Sequence, residues 1–218
     1  DRAPMQDATR PQLAVAAGGR AFVLWRQSSA PVSAWASWFD ASSGRWSGPD
    51  HLETEVFGDV EDPGLGILSS AGAIAVWTQT DFLANHNVWV DVFDGATARW
   101  TGAITIDNTM NDLRSPRLVV DPLGIATVAW LTRVGNAYEI GFNRLIGPNW
   151  GAGQAEGPGS ATPPLMAADA AANVYALFLQ GAARRQLYAM RFDRAAGEWS
   201  EAQSLATPDP ESASEPQL

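Results

Sequence analysis

A chain of 218 residues with 46% apolar side chains carries enough hydrophobic surface to build a core and falls outside the composition of disordered segments. Its formal charge is -10, and its 14 cationic residues are all Arg, a balance that repels phosphate backbones and anionic lipid and argues against nucleic-acid and membrane-surface roles. Cysteine is absent, which removes disulfides, thiolate zinc sites and cysteine nucleophiles, and no apolar run approaches the roughly 18 residues of a membrane span.

The chain opens at Asp1 with no leader of its own, so we read it as processed or as a piece of something larger. The first unit then begins at Pro11. A short strand at Leu13–Val15 ends in Ala-Ala-Gly-Gly, a second strand runs Ala21–Trp25, and a third ends at Phe39, where the segment FDASSGRW turns the chain towards Trp46. The second unit repeats this from Pro63: a strand near Leu65, a turn at Gly72, AIAVW ending at Trp77, NVWVDVF ending at Phe93, and FDGATARW ending at Trp100. In the third unit Pro116 leads to Trp130 and the closing Trp is Trp150, but NRLIGPNW puts Asn143 and Arg144 near the places of Phe and Asp. The fourth runs from Pro164 through Phe178 and QLYAMRF to FDRAAGEW, ending at Trp199.

Every anchoring Pro is followed fourteen residues later by Trp or Phe, and the anchors recur about every 50 residues. The units are 11–62, 63–115, 116–163 and 164–215. Pro216-Gln217-Leu218 repeats Pro11-Gln12-Leu13 and reads as the start of a fifth. The second strands are apolar on both faces, as a strand covered by neighbouring sheets requires, and the third strands alternate. Gly19, Gly72, Gly124 and Asn173 are the residues expected to take positive φ after the first strands. In FDxxxGxW the Asp is expected to accept backbone N–H groups so that the Trp closes the sheet edge. The predicted class is therefore all-β: one region, 1–218, of four-stranded antiparallel blades forming a β-propeller, with four blades and the start of a fifth.

This pattern of Pro-x-Leu, apolar strand ending in Trp and FDxxxGxW resembles the repeats of bacterial extracytoplasmic β-propeller proteins, and more loosely the Asp-box hairpin of sialidase-type propellers. The spacing departs from the Asp box, because Asp40 stands six residues before Trp46. The resemblance implies the fold and an extracytoplasmic location, secreted, periplasmic or on the cell surface. An arginine triad, acid and Tyr nucleophile of the sialidase kind do not align onto Tyr138, Tyr175 or Tyr188.

Four aromatics are candidates for ligand contact: Trp35, Trp89 and Tyr188, each four residues before a closing Phe, and Trp38, which has no aromatic counterpart in the other units. Asp107, Asn108, Asn111 and Asp112 form the best oxygen-ligand group for Ca²⁺, although their spacing is not that of a calcium loop, and no other cofactor is expected. His51 and His86 stand at different places in their units and read as solvent-facing loop residues, so no catalytic set is assigned. The leading expectation is a non-catalytic recognition or scaffolding module that binds a protein partner or a glycan. The alternatives are a fragment of a sialidase-like glycoside-processing enzyme, or a self-assembling array or fibre subunit, a homodimer included, pairing through open blade edges.

Overall fold

The computed structural model describes residues 7–54, 57–69, 71–107, 111–151, 154–156, 161–181 and 184–205. All regular elements among the described residues are β-strands, and none is a helix. The chain divides into two compact units, residues 1–107 and 108–218.

Unit 1 holds two antiparallel sheets. In the first, β1 (Ala8–Val15), β2 (Ala21–Gln27) and β3 (Ser33–Asp40) form a meander, and two short strands, β4 (Arg45–Trp46) and β5 (Asp50–His51), both pair with β3. The second sheet repeats the plan with β6 (Glu61–Ile67), β7 (Ala73–Thr80), β8 (His86–Asp94), β9 (Arg99–Trp100) and β10 (Ile104–Thr105). Unit 2 carries two more: β11 (Leu113–Val120), β12 (Ala126–Val134), β13 (Ala137–Ile146), β14 (Asn149–Trp150) and β15 (Gln154–Glu156), then β16 (Leu165–Ala168), β17 (Val174–Gln180), β18 (Gln186–Asp193), β19 (Glu198–Trp199) and β20 (Gln203–Ser204). The expected four-stranded antiparallel sheets are present, with the fourth strand broken in two. In every sheet the residue after the closing Trp sends one more backbone N–H back to the third strand (Ser47 to Trp38, Thr101 to Val92, Gly151 to Arg144, Ser200 to Arg191), after which the chain leaves the ladder.

The second strands make the cores. β7 is buried on both faces and places Trp77 in a cluster with Leu24, Ala34, Ala36 and Trp89, while Phe178 and Phe142 centre the corresponding cluster of unit 2. Directly across each sheet the second-strand aromatic faces a third-strand position: Trp25 faces Trp35, Trp77 faces Trp89, Phe178 faces Tyr188, and Trp130 faces Gly141. The Gly has a steric cause, since a Cβ there would lie 2.4 Å from Trp130 Nε1. Trp25 and Trp77 each donate Nε1–H to the Gln two residues on, Gln27 and Gln79, at 3.1 and 3.2 Å.

The Pro anchors now have a cause. Three first strands shift register by a β-bulge, at Thr9/Gln12, Glu61/Gly64 and Arg114/Arg117. Each bulge contains an anchoring Pro, which has no N–H for the ladder, preceded by an L-residue in the left-handed region: Arg10 at φ 50°, Asp62 at 46° and Ser115 at 52°. The closing turns follow expectation: Asp40 Oδ1 accepts from Ser42 N and Oγ, Asp94 from Ala96 N and Thr97 Oγ1, and Asp193 from Ala195 N and Ala196 N. Gly44, Ala98 and Gly197 supply the positive φ.

Two expectations are corrected. In the third copy Leu145, not Asn143, faces the closing Trp150, because the turn is shortened to Gly147-Pro148. Positive φ after the first strands occurs at Gly19 and Gly124 but not at Gly72 or Asn173. Ser69 Oγ instead accepts Gly72 N at 2.9 Å, and Ala172 takes φ 64° while Asn173 donates N–H and Nδ2–H to Asp169.

Candidate functional site

The aromatic candidates occupy different environments. Trp89 is 9% exposed and belongs to the core of unit 1. Tyr188 packs against the unit 2 core, stacked on Phe178 at 6.0 Å, with its hydroxyl 3.3 Å from Gln186 Oε1. Trp35 is half-buried with its ring 5.0 Å from that of His51. Trp38 lines a groove of about 530 Å³ in unit 1, as does Trp100.

The oxygen-ligand candidates fall on both sides of the division between the two units. Asp107 belongs to unit 1, where its Oδ2 accepts Val88 N at 3.0 Å, and Asn111 and Asp112 belong to unit 2, where Asp112 pairs with Arg114 at 2.9 Å. Asn108 lies outside the described residues. Among the described residues no three of His, Cys, Asp and Glu gather as a metal site would need.

Exposed chemistry collects at one end of unit 1, where β1, β3, β6 and β8 begin. There the two bulges present Arg10 and Asp62 side by side, Nη1 to Oδ1 at 2.6 Å, with side chains 55% and 34% exposed. Holding a non-glycine residue at positive φ costs about 1 kcal/mol or more, and bulges of this kind re-aim a side chain. The neighbouring loop from Phe57 to Val60 is fixed from two sides. Gly58 O accepts Gln79 Nε2 at 3.1 Å, Asp59 Oδ1 accepts Val32 N at 2.7 Å, and Val60 N donates to Val32 O at 2.9 Å. Gly58 packs closely on Thr80, since a Cβ here would lie 1.8 Å from Thr80 Oγ1 and that side chain would have to move.

That loop sets Phe57 against Phe82 at the tip of the β7–β8 hairpin, ring centroids 6.3 Å apart, with the two residues 52% and 73% exposed and Leu83 exposed beside them. The tip is rigid for a reason readable from Asp81. Its Oδ1 accepts Leu83 N and Asn85 N at 2.8 and 3.0 Å, and Ala84 takes φ 62°. Burial works in the opposite direction, but the Asn85 and Leu83 donors hold the Asp81 carboxyl below the usual range. Two exposed rings and a guanidinium–carboxylate pair at the same end of unit 1 supply apolar surface together with donors and acceptors, the mixture that a sugar chain with C–H faces and several hydroxyls requires. The FGDVEDP stretch reads as merely acidic in sequence. Its one signal is an exposed Phe beside Gly in a loop with no helical or strand period.

No protein-family model matches the chain, and no curated protein matches it. Solved structures do share its fold. An ulvan lyase of a new polysaccharide lyase family, also solved bound to -[GlcA(1-4)Rha3S]-, superposes at TM-score 0.65 with 10% identity, covering 91% of this chain and 56% of the lyase. A protein of unknown function from Dyadobacter fermentans aligns at TM-score 0.60 with 12% identity over 94% of this chain and 71% of its own. The leech intramolecular trans-sialidase aligns at TM-score 0.58 with 9% identity over 91% and 51%. At these identities the likeness is one of fold, and the chain spans about half the length of the lyase and the trans-sialidase.

Proposed function

We propose that the chain is a segment of an extracytoplasmic, glycan-processing β-propeller and that the end of unit 1 bearing Arg10, Asp62, Phe57 and Phe82 contacts the polysaccharide. The observation that carries this reading is the exposed Phe57–Phe82 pair, which stands at the same end of unit 1 as the Arg10–Asp62 ion pair. A monomeric surface keeps such rings in water only at a cost in solvation, and rigid aromatics lose little entropy on meeting a ligand. The fold neighbours support processing over a scaffolding role, because polysaccharide lyases, a family-43 glycoside hydrolase and a trans-sialidase are among them.

The test is a panel of uronate-containing, sulfated and neutral polysaccharides incubated with the chain. Binding is followed by calorimetry, and turnover by reducing ends and by the ultraviolet absorbance of unsaturated uronate. We expect binding of at least one polysaccharide and about tenfold weakening by Phe82→Ala, the loss of one aromatic contact worth about 1.4 kcal/mol, with unchanged thermal stability because the ring is exposed. Failure of every polysaccharide to bind or react overturns the proposal.

A further inference from the structure

The groove beside Trp38 is a different surface of unit 1, and two of its residues depart from the repeat. It opens where the fourth strand breaks, over segment 47–49, and is lined by Trp38 and Trp100 together with Asp50, His51 and Arg99. Both indoles are packed by neighbouring side chains. The Arg20 guanidinium lies 4.9 Å over the Trp38 ring and Phe93 packs 5.6 Å from it, while Trp100 meets Phe22 and Phe93 edge-on at 6.5 and 5.5 Å. The break segment is fixed through Ser47, whose Oγ accepts Trp38 N at 3.0 Å and reaches Gly48 O at 2.8 Å.

His51 is held between two partners. Its Nε2 lies 2.8 Å from Oε2 of Glu53, whose side chain is 1% exposed, and its ring packs on Trp35. Burial raises the Glu53 carboxyl above its ordinary range, with the His51 charge pulling the other way. Nε2 faces that carboxylate, and Nδ1 has no partner among the described residues, which leaves it available to a ligand hydroxyl.

Comparison within the chain isolates these two residues. The position before the residue facing the closing Trp is Trp38 in the first sheet but Val92, Arg144 and Arg191 in the others. The position opposite the third-strand aromatic, or its Gly141 counterpart, is His51 in the first sheet but Thr105, Ala155 and Ser204 elsewhere. A residue that serves only the repeated fold should have counterparts in the other copies. Trp38 and His51 lack them, and both line one groove.

We propose that this groove is a sugar-binding site separate from the Phe57–Phe82 end, taking a neutral hexose or pentose unit with Trp38 against its C–H face and His51 Nδ1 on a hydroxyl. One carboxylate and one guanidinium, Asp50 and Arg99, flank it, so neither sign of charge is favoured and an uncharged ligand fits best.

The experiment titrates the chain with cellohexaose, xylohexaose and mannohexaose while recording imidazole and indole resonances. With only two histidines in the chain, the His51 signal is assigned from a single variant. The variants borrow from the repeat itself: Trp38→Val and His51→Thr each install the residue that the second sheet carries at the same place. At least one neutral hexasaccharide should shift the His51 and Trp38 signals, each variant should weaken that binding at least tenfold, and Phe82→Ala should leave it unchanged. A His51 signal that none of the three moves, or binding that survives both variants, overturns the proposal. Binding lost only with Phe82→Ala does so too, and assigns the sugar to the other end.

Discussion

Asp91 is a buried acid with no ion-pair partner among the described residues. It is 2% exposed, and its Oδ1 accepts Gly102 N at 3.0 Å and Thr101 Oγ1 at 3.3 Å. Burial pushes its pKa to about 6 against the pull of those donors. The folded chain therefore keeps this proton over a pH range in which the unfolded chain, with an ordinary carboxyl near 3.8, has released it. Stability falls as pH rises through that window, by on the order of 2 to 3 kcal/mol, and stays at the lower level above about pH 6. Glu53 is shifted in the same direction, whereas Asp40, held near 2 by Ser42 and Ser43, works the other way and loses its contribution as pH falls from 3.8 through about 2. Asp91→Asn keeps the Oδ1 acceptor and removes the proton. Urea unfolding from pH 4 to 7 should thus show the variant overtaking the parent as pH rises, and a constant difference between the two would refute the assignment.

At the scale of the element, one turn recurs in three spellings. Asp121-Pro122-Leu123-Gly124, Asp169 to Ala172 and Asp81-Phe82-Leu83-Ala84 all use the first Asp to collect two backbone N–H groups, with the fourth residue at positive φ. Only the first carries Gly there. Ala84 is exposed, so Ala84→Gly loses little packing and relieves a left-handed Ala. A gain of about 1 kcal/mol in chemical denaturation is expected. The element scale also shows what could be read in advance. Continuous apolar runs such as AIAVW and the FD turns announced covered antiparallel strands, because hydrophobic period and Asx chemistry are local. The bulges could not be read, since a residue before Pro ordinarily avoids the left-handed region and does so here only where the neighbouring strand demands it. The same limit hid the site. Trp38 stood out as unmatched, but the 2.8 Å approach of His51 to Glu53 depends on how β5 registers on β3. Phe57 and Phe82 are far apart in sequence until the β7–β8 hairpin and the loop before β6 fold against each other.

At the scale of the whole molecule, the charge of -10 with no lysine acts on any ligand before contact. A polyuronate approaching either unit meets net repulsion, felt over about 10 Å at 0.1 M salt and about 30 Å at 0.01 M. Added salt screens that repulsion while leaving a short-range stack on Phe57 or Phe82 nearly untouched. Binding of an acidic polysaccharide at that end should therefore strengthen as ionic strength rises from about 0.01 to 0.15 M, contrary to the usual behaviour of a site built from basic residues. Binding of a neutral hexasaccharide in the Trp38 groove should not change across the same range, since the ligand carries no charge for the field to act on. Calorimetric titration of both ligands at the two ionic strengths reads the difference directly. A polyuronate whose affinity falls with salt would mean that Arg10 and its surroundings outweigh the field of the chain, and that the local guanidinium dominates recognition at that end.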